Sequence, residues 1–216
     1  MAGTFVLMLW LIALFGYTMQ VDLRPLGVLP HQLSGLPGIL FAPLVHGSWQ
    51  HLLSNSFALL ILLTTLHYGY PHSRRLALAL IWIGAGTGVW LFARPSWHIG
   101  ASGLTHGIMF YIFVSGILRR DRRSIALALI VFFLYGGMVW TIFPTQPEIS
   151  YESHFFGALS GVLAALLLRR RDPPPPEQHY AWEDEDTDEE MQLSLPDERD
   201  RNGLHSSHCR ATGPGR

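Results

Sequence analysis

The chain has 216 residues, 49% of them hydrophobic and 14% charged, with a formal net charge of −1. Soluble domains carry about a quarter charged residues, and here the charges gather in short clusters between long apolar runs and in the stretch after Arg171, a pattern that excludes an ordinary soluble domain. A single cysteine, Cys209, excludes an intrachain disulfide or a thiolate metal cage; no basic patch with interleaved aromatics points to nucleic acid, and nothing calls for a cofactor.

A bilayer core of ~30 Å takes about 20 apolar residues of helix to cross. Apolar segments fall at 5–21, 50–68, 76–93, 101–118, 124–143 and 153–168, and none contains Asp, Glu, Lys or Arg. They predict an all-α membrane protein, a bundle of six transmembrane helices. A signal peptide is the alternative for the first, but it lacks a basic leader and a small-residue cleavage site. The connection 22–49 contains Pro25, Pro30, Pro37 and Pro43 together with Leu36, Ile39, Leu40 and Phe41. It reads either as a loop lying partly in the membrane interface or as a simple ordered loop. Arg74 and Arg75, Arg119 to Arg123 and Arg169 to Arg171 mark one side, with only Arg24 and Arg94 on the other. That bias places both termini in the cytoplasm. The short fourth-to-fifth turn predicts antiparallel neighbours. From Asp172 the composition changes to a proline run, Pro173 to Pro176, and an acidic run, Glu183 to Glu190. Such a stretch buries too little apolar surface to fold. Residues 1–171 are therefore expected to form the membrane unit, and 172–216 a disordered cytoplasmic tail.

Polar groups within membrane spans are costly and become functional candidates. His51 and Asn55, Ser102, and His154 each lie near the start of an even-numbered segment. Those segments all run from outside to inside, so their starts share one depth near the outer surface. Ser102 sits in Trp97-His98-Ile99-Gly100-Ala101-Ser102-Gly103. Gly100 permits an irregular entry into the helix, and a helix N-terminus supports a developing oxyanion. A serine hydroxyl needs a base. The chain has no lysine, so a Ser–Lys dyad is excluded. No span holds a carboxylate, which disfavours a Ser-His-Asp triad and excludes an intramembrane aspartyl protease. A Ser–His dyad remains, with His154 as the best base. Gly157 and Gly161 after His154, and Gly103 and Gly107 after Ser102, form small-residue stripes that let two backbones approach closely, with or without catalysis. His51 and Asn55, four apart, share a helical face and suit an oxyanion hole. A metal site from His46, His51 and His98 competes, but there is no H-E-x-x-H motif and no acidic ligand near them in sequence.

The pattern His46-x4-His51-x3-Asn55, then Gly100-Ala101-Ser102-Gly103, then His154-x2-Gly157-x3-Gly161 resembles the rhomboid family of intramembrane serine proteases. The likeness covers roughly residues 40–170. It implies a six-helix fold with a water-filled cavity open to the outer side, and Ser102 as nucleophile with His154 as general base. It also implies His51, Asn55 and the Ser102 N–H as oxyanion donors. The partners implied are the lipid bilayer and a transmembrane protein cut in or near its span; the setting is the inner membrane of a bacterium, and the oligomeric state is left open. Two positions depart from the family. Many members carry a Trp-Arg pair in the first outer loop, where only Leu23-Arg24 is found. The position four after the nucleophile, often a Tyr stacked beneath the base, is His106, which is able to stack or to act as a second base. The alternative of another class is a pseudoprotease that binds membrane clients without cutting them. A transporter or scaffold would put ionisable groups at mid-membrane instead.

Overall fold

The structure, a computed structural model, describes residues 1–144 and 150–173. Among them the chain is helical, with one isolated antiparallel bridge, Val28 to His98. Its long helices are α1 (Ala2–Thr18), α2 (Trp49–Gly69), α3 (Arg74–Phe92), α4 (Ser102–Arg119), α5 (Arg122–Tyr135) and α6 (Tyr151–Leu168). A 3-10 segment, Gly136–Ile142, continues α5. Among the described residues, four stretches are long and apolar enough to cross a membrane: Trp49–Gly69, Arg74–Phe92, Arg122–Ile142 and Tyr151–Leu168. Six were expected. Helix α1 is apolar but has only 17 residues. Helix α4 is long enough, but Ser102, Thr105, His106 and Ser115 dilute its apolar character. It tolerates them because the other helices enclose it: Thr105, His106, Ile108, Tyr111 and Ile112 are all buried. A helix shielded from lipid has no need of an apolar surface all round.

The core is built from Leu52, Leu59, Leu62 and Leu66 of α2, Ile81 of α3, and Ile108 and Ile112 of α4, with Leu9 of α1 packed against them. Helix α5 contributes little to it, burying only Ser124, Ala128 and Val131, while Leu129, Ile130, Phe132 and Phe133 face outward. The turn from α4 into α5 is short because Arg120 takes a left-handed conformation (φ 59°) and Asp121 caps α5, accepting from the Ser124 N–H at 3.0 Å. The long first connection is neither helical throughout nor detached. It contains short 3-10 turns and a four-residue helix, Gly38–Phe41. The indoles of Trp82 and Trp90 donate to its carbonyls at Leu40 and Gln32. Leu40 and Phe41 stay exposed, which suits contact with the membrane interface.

Helices α4 and α6 touch backbone to backbone. A Cβ placed on Gly157 would overlap the carbonyl oxygen of Gly103, and one on Gly161 would overlap that of Gly107. Both obstacles are helix main chain of α4, so neither moves aside easily.

At the opposite end of the bundle Asp172 is buried. Its carboxylate accepts from the His72 N–H at 2.8 Å and the Ser73 N–H at 3.1 Å, and from the Ser73 hydroxyl. With its proton given to Asp172, the Ser73 oxygen accepts from the Tyr111 hydroxyl at 2.7 Å. The segment after α6 is thus fastened to the start of α3 and to the inner part of α4. Asp172, at the head of the segment read from sequence as the tail, makes its hydrogen bonds to residues 72 and 73 of the helical bundle. The acidic run and most of the proline run lie outside the described residues.

Two outcomes follow. Gly157→Ala should overpack the α4–α6 contact and destabilise the protein by about 1–3 kcal/mol, read as a lower thermal midpoint in detergent, whereas Ala at the open position Gly137 should be tolerated. Truncation after Arg171, or Asp172→Ala, should leave buried donors of the 72–73 turn unpaired at a cost of about 1–3 kcal/mol, whereas truncation after Pro173 should leave the midpoint unchanged.

Candidate active site

Ser102 is the first residue of α4, and the loop that delivers it is held at successive positions. The bridge to Val28 fixes His98 through two backbone hydrogen bonds of 2.9 Å. The Gly100 N–H donates to the Ala42 carbonyl at 2.9 Å, and the Ala101 N–H donates to His46 Nε2 at 3.4 Å. Burial first, and the adjacent His51 second, push the His46 imidazole down to about 4, so at neutral pH it is uncharged and able to accept that bond. Gly100 has φ +108°, and a Cβ there would lie 2.9 Å from His51 Nε2. Glycine therefore serves twice, allowing the backbone turn and the seating of the His51 ring. The N–H of Ser102 itself is among the donors that a helix start leaves without an intrahelical partner.

His51 and Asn55 lie on the first turns of α2, where Ser48 caps the helix by accepting from the His51 N–H. The edge of one ring of the His46–His51 pair meets the face of the other at a centroid separation of 5.2 Å. Asn55 is buried, and its Nδ2 has no hydrogen-bond partner among the described residues. A buried amide donor without an acceptor is costly and is the feature an oxyanion hole requires.

His154, on the first turn of α6, is buried. Its Nδ1 lies 3.0 Å from the carbonyl oxygen of Thr141. A carbonyl only accepts, so Nδ1 carries the proton and Nε2 presents a lone pair, the tautomer a general base needs. The ring of His106 lies 4.0 Å from that of His154, at an interplanar angle of 11°. His106 Nδ1 donates to the Ser102 carbonyl at 2.7 Å, and its Nε2 sits 2.9 Å from Thr141 Oγ1 and 3.2 Å from the Met138 carbonyl. Both nitrogens are engaged away from the Ser102 hydroxyl. His106 is thus stacked on His154, one of the two arrangements open to it. No hydrogen bond joins Ser102 Oγ to His154 among the described residues; such bonds commonly tighten only when substrate is bound.

Three features of the site were not foreseen. Thr141 supplies the partner of His154, in the place a carboxylate occupies in a triad. Glu152 is the nearest carboxylate in sequence, but it pairs with Arg94 at 3.3 Å. His98, considered only as a metal ligand, has Nε2 on the Arg94 carbonyl at 3.0 Å and Nδ1 on the Ser150 hydroxyl at 2.6 Å. Burial holds this imidazole below its ordinary value. It ties the loop before Ser102 to the cap of the helix that carries His154.

A profile of the rhomboid domain matches residues 34–171. Uncharacterized proteins of Mycobacterium bovis and of Mycobacterium tuberculosis are each 36% identical over 171 residues, covering 75% of this chain and 71% of their own. One of Mycobacterium leprae is 33% identical over the same length, covering 75% and 68%.

Asn55→Ala removes the unpartnered donor, and His51→Ala removes the ring seated on Gly100. In an acyl-transfer assay each should lower turnover by on the order of 10²–10³-fold if it is the donor lost, with the folded fraction checked by thermal unfolding.

Proposed function

Because the chain belongs to the rhomboid family, we propose that it is an intramembrane serine endopeptidase that cuts transmembrane proteins in or near their spans. The observation that carries this reading is the bond from His154 Nδ1 to the Thr141 carbonyl, which leaves Nε2 as an available base at the same end of the α4–α6 contact as Ser102. In the proposed reaction, Ser102 Oγ attacks the scissile carbonyl carbon and its proton passes to His154 Nε2. Asn55 Nδ2, His51 and the Ser102 N–H hold the oxyanion. His154 then returns the proton to the leaving amine as the C–N bond breaks, giving an acyl group on Ser102. Water, deprotonated by the same nitrogen, attacks the acyl carbon; the ester bond to Ser102 breaks, the carboxylic acid leaves, and the proton passes from His154 back to Ser102 Oγ.

The protein is an integral membrane protein. The six long helices are proposed to cross the membrane six times, with α1 and the enclosed α4 completing the four longer apolar stretches. The arginines after α2, α4 and α6 support an orientation with both termini in the cytoplasm and the Ser102–His154 end on the outer side. A bacterial cell membrane accords with the mycobacterial relatives. A second reading, a pseudoprotease that binds clients without cutting them, draws on the missing hydrogen bond between Ser102 and His154.

Cleavage of a transmembrane reporter by protein reconstituted in vesicles separates the two. Ser102→Ala and His154→Ala should each reduce cleavage to background while the protein still inserts and folds. Cleavage by wild type that survives either change would remove the dyad, and absence of cleavage by wild type on substrates it binds would favour the client-binding reading.

A further inference from the structure

Building on the serine-protease reading, we propose that Thr141 is a positioning residue for the catalytic base: its carbonyl selects the tautomer of His154, and its hydroxyl pins His106, the ring on which His154 rests. The residue lies in the 3-10 segment Gly136–Ile142 that continues α5, 13 positions before His154 in sequence.

The chemistry of the acceptors decides where the protons lie. With the Thr141 carbonyl 3.0 Å from His154 Nδ1, the opposite tautomer would set lone pair against lone pair and place the proton on Nε2, where it blocks removal of a proton from Ser102. The same residue reaches the neighbouring ring. His106 Nδ1 spends its proton on the Ser102 carbonyl. In the neutral ring Nε2 is then an acceptor, and of the two groups that touch it, the Met138 carbonyl cannot donate and the Thr141 hydroxyl can. That hydroxyl also lies 2.7 Å from the Met138 carbonyl. The Met138 carbonyl competes for the proton, and in the proposed arrangement the hydroxyl donates to His106 Nε2. With the Thr141 proton on Nε2, the His106 ring is held at both nitrogens, and the parallel stack with His154 at 4.0 Å is preserved. Without the hydroxyl, Nε2 of the neutral ring faces only an oxygen that accepts.

Thr141 is thus the one residue whose atoms contact both imidazoles through hydrogen bonds among the described residues. It sits at the end of a helix with few buried side chains, a poor place for a threonine whose only work is packing.

The test uses the full-length protein in vesicles, cleaving a transmembrane reporter, with kcat and KM measured separately and thermal midpoints recorded. Thr141→Val keeps the shape and removes the hydroxyl. It should lower kcat by on the order of 10²-fold, the penalty typical of a slightly misplaced reacting group, with KM unchanged. Thr141→Ser keeps the hydroxyl and should restore most of kcat. In a His106→Phe background, which retains a stacking ring but has no Nε2, Thr141→Val should cost nothing further, because interacting residues are non-additive in a double-mutant cycle. Wild-type kcat in Thr141→Val, failure of Thr141→Ser to restore activity lost in a folded Thr141→Val, or losses that multiply in the double variant would each overturn the proposal while leaving the protease reading intact. Cleavage that is unaffected by Ser102→Ala would instead bring down the protease reading, and this proposal with it.

Discussion

The site depends on how closely two helices approach. Between α4 and α6 the spacing is set by carbonyl oxygens of Gly103 and Gly107 lying where side chains of residues 157 and 161 would otherwise be. In a bilayer no hydrophobic force separates helix–helix contact from helix–lipid contact, so packing of this closeness is a main source of association. Ser102 precedes one of these glycines by one residue, and His154 precedes another by three. Register along the glycine contact is therefore register between hydroxyl and imidazole. The His98–Ser150 hydrogen bond ties the entry of α4 to the cap of α6 at one end, and at the other the Asp172 carboxylate ties the chain after α6 to the start of α3 and, through Ser73, to Tyr111 of α4.

Polar groups in such an interior must find partners within the protein, and most of them do. His98 uses both ring nitrogens, His106 uses both, and His154 uses Nδ1. Between α1 and α2 the Trp10 indole donates to the Ser56 oxygen, and the Ser56 hydroxyl donates to the Leu52 carbonyl. Asn55 Nδ2 is one of several buried polar atoms, with His46 Nδ1 and the Glu152 oxygens, that have no hydrogen-bond partner among the described residues. Its position one turn below His51, on the helix that faces the loop entering α4, is where an oxyanion donor is expected. A site made of committed bonds with a few uncommitted ones is preorganised: the donors need not reorganise when charge develops.

Much of this was readable before any coordinates. The glycine spacing after Ser102 and after His154 indicated which helices would meet. The alternation of apolar segments suggested that the starts of the second, fourth and sixth meet at one end of the bundle. The rest was hidden for physical reasons. Thr141 acts through a backbone carbonyl, which every residue has, so no side-chain pattern could mark it. The His98–Ser150 contact joins positions 52 apart. Asp172 looked like the first residue of a charged tail because the apolar run had ended, yet its carboxylate serves backbone N–H groups at the start of α3. The polar residues of α4 were legible as a site but not as the reason that this helix looks the least like a membrane span.

The central claim is that Ser102 is a nucleophile made reactive by the base that α6 holds against it. A fluorophosphonate reports this without any knowledge of the natural substrate, since it phosphonylates only an activated serine. Protein in its native membrane, treated with such a probe and mapped by mass spectrometry, should carry the adduct on Ser102 and on no other serine, and His154→Ala should abolish it. No adduct on Ser102 in folded wild-type protein, or equal labelling in His154→Ala, would contradict the account.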